Sequence, residues 1–231
     1  MREIVLDTET TGLDPFQGHR LIEIACVELI NRFPSGQSFH RYVNPERDVP
    51  AEAIAIHGLS AEFLRDKPRF DEIADELAAF IGEAPLVAHN AMFDLAFLNA
   101  ELEHAKRGAV SRDRLVDTLM LARRKHPGGS NRLDDLCLRY KVDNSRRTKH
   151  GALLDAELLA EVYVELIGAR QANLGLAAAT MGGGEMRVAA MTVRMRSEPL
   201  APRVTDDERA AHQQFIATLG EVAVWRKYLT I

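Results

Sequence analysis

The chain opens on a short apolar run, Ile4-Val5-Leu6, closed by Asp7, and the spacing of its apolar positions changes character as it proceeds. Ile4 to Asp7 reads as a strand. Leu21 to Ile30 reads as a second, with polar Glu23 between Ile22 and Ile24 giving partial alternation. Asn31 to Gly36 is turn chemistry and Ser38 to Val43 predicts a third strand, so the opening is a β-meander. Helical spacing then takes over. Phe70, Ile73, Ala74, Leu77, Phe80 and Ile81 fall on one face of a helix that follows Pro68. Leu86 to Ala88 predicts a short buried strand ending at His89-Asn90, with Asn90 suited to cap a helix that carries Phe93, Phe97 and Leu98. A last short strand is expected near Val116-Asp117, with helices over Thr118 to Lys125, Leu133 to Tyr140 and Ala152 to Ile167. Early strands followed by strands alternating with helices predict an α/β fold, a mixed sheet with helices on its faces.

Past Gly168 the texture changes to Ala, Gly and Met, including Gly182-Gly183-Gly184, and later to Pro199 and Pro202, which reads as a flexible linker. Thr205-Asp206-Asp207-Glu208 has capping-box spacing and opens a short helix with Ala211, Phe215 and Leu219 at intervals of four, closed by Gly220. Val222, Val224 and Trp225 extend an apolar surface too small to fold alone, which suits docking on a partner or packing back on the main domain. The expected layout is a main domain over 1–170, a linker over 171–204 and a C-terminal segment over 205–231.

With 231 residues, 46% of them hydrophobic, the chain can bury one full core plus an appendage. No apolar stretch approaches the roughly 20 residues of a membrane span, and Met1-Arg2-Glu3 does not resemble a secretory signal, so a cytoplasmic location is expected. Cys26 and Cys137 are far apart and read as buried reduced thiols. A net charge of -5 argues against gripping nucleic acid through a global positive field. From Arg123 to His150, however, nine Lys and Arg face three acids, a run that reads equally as solvated helix faces or as a rim contacting phosphates.

The candidate chemistry lies in the acids. Asp7 and Glu9 stand one residue apart at the end of the first strand, so they share a face and can reach one cation; the small Thr10-Thr11-Gly12 beyond them lets a ligand backbone approach. Asp94, in His89-Asn90-Ala91-Met92-Phe93-Asp94, and Asp155, five residues after His150, both fall in early turns of predicted helices, where a lone acid serves the helix dipole. His89 reads as a hydrogen-bonded structural residue; Phe93 reads as core, with stacking on a base as its alternative, and Asp117 as the start cap of the next helix in preference to an acid supporting the cluster.

Taken in order, Asp7, Glu9, Asp94, His150 and Asp155 resemble the pattern of the DEDDh 3′-to-5′ exonucleases of the ribonuclease H-like fold, in particular those that proofread for a replicative polymerase. The resemblance runs from about Arg2 to about Ile167 through the stretches IVLDTETTG, IHGL, DKP, HNAMFD and TKHGALLDAELLAEVY. It implies a five-stranded mixed sheet flanked by helices. It also implies a pocket for the terminal nucleotide lined by Asp7, Glu9, Glu52 and His57, and a polymerase subunit bound through Thr205 to Ile231. Four clustered carboxylates cannot all stay ionised without cations, and oxygen ligands select Mg²⁺ or Mn²⁺. Two such ions held by Asp7, Glu9, Asp94 and Asp155 can clamp an in-line displacement at phosphorus, with His150 taking the proton of the attacking water. Gln171-Ala172-Asn173-Leu174-Gly175-Leu176 looks like a sliding-clamp peptide without its usual last aromatic. Two rival readings stand beside proofreading: an exonuclease that trims RNA ends with the same residues, and a non-catalytic module that stabilises a polymerase.

Overall fold

The computed structural model describes residues 1–147, 149–169, 204–220 and 224–227, which fall in two units, Met1–Leu174 and Gly175–Ile231. In the first unit β1 (Arg2–Thr10), β2 (Leu21–Ile30) and β3 (Phe33–Tyr42) form an antiparallel meander, and β4 (Leu86–Ala88) and β5 (Leu115–Asp117) add in parallel, giving the sheet order β3-β2-β1-β4-β5. The expected α/β mixed sheet is therefore the fold, with five strands among the described residues.

The expected turn over 31–36 is only two residues long. Asn31 and Arg32 both take left-handed backbone, φ 52° and 72°, the geometry that a two-residue hairpin needs, and β3 already begins at Phe33. Pro34, read as a turn residue, lies inside β3 because β3 is a sheet edge, where a missing N–H costs no ladder bond.

Side chains alternate along β1, and each set meets its own helices. Ile4 and Leu6 join a core with α3 (Phe70–Ile81) and α4 (Ala91–His104), built on Phe70, Leu77, Leu95 and Leu98. Val5 joins a core on the other face with α5 (Thr118–Lys125), α6 (Leu133–Tyr140) and α7 (Ala152–Leu166), built on Leu136, Leu159 and Tyr163. Asp7 and Glu9 continue the row of Val5 and so emerge at the end of the second core. Cys26 and Cys137 are buried free thiols.

Two short helices, α1 (Ala51–His57) and α2 (Ala61–Leu64), fill the connection between β3 and α3, where the sequence predicts none. Pro50 stands before α1 and Gly58, at φ 80°, closes it, an arrangement that favours a helix at both ends. Asn90 does precede α4, but it sits at φ 68° with its side chain making no capping bond, contrary to expectation; its N–H donates instead to Asp117 Oδ1 at 3.3 Å. Asp117 caps α5 as expected, accepting from the N–H groups of Leu119 and Met120.

One buried acid ties the helix of Asp94 to the strand next to β1. Glu101 on α4, 2% exposed, accepts from Arg20 Nε and Nη2 at 2.7 Å each and from the Leu21 N–H at 3.1 Å. Glu101→Ala leaves Arg20 without that fork and is expected to destabilise the domain by about 3 kcal/mol, read from urea unfolding. An unchanged midpoint would refute this role.

In the second unit α8 (Asp206–Thr218) carries the expected capping box between Thr205 and Glu208. Its buried apolar residue is Ile216, whereas Phe215 is 60% and Leu219 47% exposed, so the stripe of Ala211, Phe215 and Leu219 is not the covered one. Trp225, 57% exposed, meets the His212 ring edge-on at 5.9 Å. The peptide Gln171–Leu176 and nearly all of the linker 171–204 lie outside the described residues. No helix of the described residues is long and apolar enough to cross a membrane.

Candidate active site

The acids meet because three chain segments end at the same place. β1 delivers Asp7 and Glu9 near its carboxyl end, and the chain leaving β4 turns at Asn90 into α4, whose first turn carries Asp94. Asp155 comes from the first turn of α7. Both helices point their N-termini at the cluster, where their dipoles favour negative charge.

Glu9, His150 and Asp155 each offer a ligand atom, and these lie within 4.8 Å of one another. Asp7 lines the same cavity wall as His150 and Asp155. Asp94 is buried, 4% exposed, and its Oδ1 accepts from the Thr8 hydroxyl at 2.8 Å. Desolvation, then the charges of Asp94, Glu9 and Asp155, pushes the Asp7 carboxyl well above the usual range. Burial raises Glu9 to about 8 and Asp94 to about 7. Asp155 goes the other way: burial works to raise it, but the hydrogen bonds of Arg147 and His150 overcome that and hold it below its ordinary value.

Arg147 is the residue that sequence reasoning did not single out. Its side chain is 8% exposed, and it forks onto Asp155, Nε to Oδ1 at 2.6 Å and Nη2 to Oδ2 at 2.7 Å, while Nη1 reaches Asp134 at 2.6 Å. It stands in the basic run Arg123 to His150, but nothing local to the sequence tells which of nine cations turns inward. Arg147 Nη2 also faces His150 Nδ1 at 2.9 Å. Because guanidinium only donates, Nδ1 then accepts and the neutral ring holds its proton on Nε2. The alternative pairs Nδ1–H with Asp155 Oδ2, 3.3 Å away, and leaves the Nε2 lone pair available. The bond to Asp155 raises the His150 pKa.

Two cavities meet at the carboxylates. The first, about 700 Å³, is lined by Asp7, His150 and Asp155 together with Arg123, Arg132 and Arg147. The second, about 550 Å³, is lined by Glu9, Glu52, His57 and Phe93 among others, with no Lys or Arg. Glu52 and His57 are thus brought beside Glu9 by α1. His57 Nδ1 accepts the Leu59 N–H at 3.0 Å, so the neutral ring carries its proton on Nε2, a buried atom with no partner in the protein. Burial lowers the pKa of His57 and keeps the ring neutral. Phe93, read as core with base stacking as its alternative, lines this cavity and packs on Phe97 at 5.0 Å between ring centres. The room beside Gly12, expected to admit a ligand, is taken by the His19 ring; a Cβ there would lie 2.3 Å from it. Behind Glu9, its cross-strand neighbour Glu23 is 3% exposed and meets His40 Nε2 at 2.7 Å. His89 is structural, as read: its Nε2–H donates to the Asn131 carbonyl at 2.8 Å and Nδ1 meets the Thr118 hydroxyl at 2.9 Å.

The donor set fits hard divalent cations. Asp7, Glu9 and Asp94 are pushed toward protonation by burial and by one another, while the chain offers Arg147 and His150 in return.

Residues 4–163 match the family described as exonuclease. The chain is similar to the DNA polymerase III subunit epsilon of Rickettsia felis, with 46% identity over 96% of this chain and 99% of that one. It is similar to the subunit of the same name from Escherichia coli K12, with 42% identity over 97% of each. Among solved structures it is similar to exonuclease X bound to 5′-overhanging duplex DNA, with 26% identity, a TM-score of 0.56 and coverage of 71% of this chain and 90% of that one. The fold also resembles that of E. coli exonuclease I in a zinc-bound complex with single-stranded DNA, with 19% identity, a TM-score of 0.62 and coverage of 74% and 41%.

Proposed function

We propose, from the premise that this chain belongs to the exonuclease family and stands among the epsilon subunits of DNA polymerase III, that it is the 3′-to-5′ proofreading exonuclease of that polymerase. The observation that carries the reading is the convergence of Glu9, His150 and Asp155 within 4.8 Å, with the raised Asp7 and Asp94 beside them. Asp7, Glu9, Asp94 and Asp155 hold two divalent cations, Mg²⁺ or Mn²⁺. When bound, these supply charge neutralisation and Lewis-acid activation at the terminal phosphodiester.

The chain's own residues do the rest. Glu52, His57 and the face of Phe93 receive the terminal nucleoside next to Asp7 and Glu9, and the buried Nε2–H of His57, which no described protein group accepts, donates a hydrogen bond to it. His150 takes a proton from the attacking water at Nε2 when Nδ1–H pairs with Asp155, the arrangement in which Arg147 has let go of the ring. His150→Ala is expected to lower turnover by about 10²- to 10⁴-fold while leaving cation binding in place. A variant as fast as the wild type removes His150 from this role.

The exposed Phe215, Leu219, Val224 and Trp225 of the segment 205–231 support docking on the polymerase III alpha subunit, with 171–204 as the tether and Gln171–Leu176 as a contact for the sliding clamp. The reading places the chain in the cytoplasm. The deciding experiment is digestion of a 3′-mispaired DNA primer with Mg²⁺, with and without chelator, beside a matched RNA end. Release of nucleoside monophosphates from DNA that stops on chelation is expected. Faster digestion of RNA would favour the trimming enzyme, and no release with Mg²⁺, or with Mn²⁺ in its place, would favour the non-catalytic module.

A further inference from the structure

The two cavities differ in charge in a way the reaction does not by itself require. Arg147, in the first, is committed to Asp134 and Asp155. Arg123, in the last turn of α5, and Arg132, just before α6, line the same cavity, are exposed and make no side-chain ion pair or hydrogen bond within the described residues. The loop that presents Arg132 is braced: Asn131 Nδ2 donates to the Gly129 carbonyl at 2.8 Å, and the Asn131 carbonyl takes the bond from His89. The second cavity is lined by acids and by no Lys or Arg, the nearby Lys149 lying against Gly58.

A strand entering by its 3′ end has a matching asymmetry. Beyond the scissile phosphate its terminal nucleoside carries no charge, whereas each nucleotide on the 5′ side adds one phosphate. Free guanidinium groups suit those phosphates, which they can grip with two hydrogen bonds. We propose that Arg123 and Arg132 bind the phosphates immediately upstream of the scissile one. The strand then lies with its 3′ nucleoside beside Glu52 and His57 and its 5′ side over the ends of α5 and α6. This rests on the exonuclease reading and adds two binding residues to it. It also divides the basic run: Arg147 serves the carboxylates, and Arg123 and Arg132 serve the substrate.

The test is a cycle between protein and strand. A single-stranded thymidine oligonucleotide is compared with one whose two linkages upstream of the scissile phosphate are neutral methylphosphonates, using the wild-type chain and Arg123→Gln/Arg132→Gln, with KM read at several salt concentrations. For the wild type the neutral linkages should raise KM about tenfold, the effect of two solvent-facing ion pairs. The double variant should show the same rise on the unmodified strand and less than about a twofold further rise on the neutral one, because the partners are already gone. Its plot of log KM against log salt should be shallower by about 1.4, two phosphates' worth. Neutral linkages that cost the variant as much as the wild type, or an unchanged salt slope, overturn the assignment. A wild-type chain that digests both strands equally overturns it while leaving the exonuclease reading standing. A wild-type chain that releases nothing from the unmodified strand overturns both.

Discussion

Asp7→Asn is expected to reduce nucleotide release by about 10³- to 10⁴-fold, the several kcal/mol that a cation ligand contributes, and at the same time to raise the melting temperature of the metal-free protein. The second half follows from the same geometry as the first. Desolvation and the charges of Asp94, Glu9 and Asp155 work against an ionised Asp7, and the amide keeps its shape while removing the charge. Each kcal/mol relieved moves the midpoint by about 2–4 °C in a chain of this size.

The pH dependence has a definite sign. Glu9 and Asp94 rise to about 8 and about 7 on folding, from ordinary values near 4. Between those limits the folded state binds more protons than the unfolded one, so their stabilisation is complete below about pH 4 and is lost as pH climbs toward 8. Asp155, held low, acts in the opposite sense only as pH falls below its ordinary value, and His57, His89 and His126, lowered chiefly by burial, oppose the trend below about pH 6.5. Above about pH 6.5, where those histidines are neutral in both states, metal-free wild-type protein should therefore melt at progressively lower temperature up to about pH 8, and added Mg²⁺ should restore most of the loss at the alkaline end. A melting temperature in chelator that climbs over that window contradicts the account.

Asp155→Ala should be as inactive as Asp7→Asn and yet shift stability the other way. Asp155 is the acid that the fold has already paired, and its removal strands Arg147, 8% exposed, with Asp134 as its remaining carboxylate. Breaking such a buried pair costs about 3 kcal/mol here, the low end of the usual range because Asp134 stays, or roughly 6–12 °C. Thermal melts of both variants in chelator decide the matter, and an Asp155→Ala protein that melts at or above the wild type would show that Arg147 needs no such partner. Adding Arg147→Ala should recover part of the loss. Opposite signs from two inactive variants would separate the repelled acids from the compensated one.

Much of this arrangement could be read from the residues. β2, α5 and α6 begin and end where their periodicity and caps predict, because each lies between clear punctuators. α1 escaped because Ala-Glu-Ala-Ile-Ala-Ile-His alternates at period two over too short a span for a period near 3.6 to show; Pro50 and Gly58 were the better signal. β3 was expected to start late because Pro34 and Gly36 resemble a turn unless the strand is known to be an edge. Asp7, Glu9, Asp94, His150 and Asp155 were recognisable as a set through their order. Phe93 looked like core because a helix carries aromatic residues on its packed and its cavity-facing sides alike. Arg147 depends on which way one side chain turns in a basic run, a property of tertiary packing that no local spacing encodes.

The outer strands of the sheet have a bearing on how this chain behaves in company. One border, β5, is three residues long. The other, β3, carries Pro34 without a donor and a register shift opposite Val27–Leu29. Neither border offers a long, regular ladder on which a neighbouring chain could add a strand. A protein built this way can be held at high local concentration within a larger assembly without polymerising through its sheet.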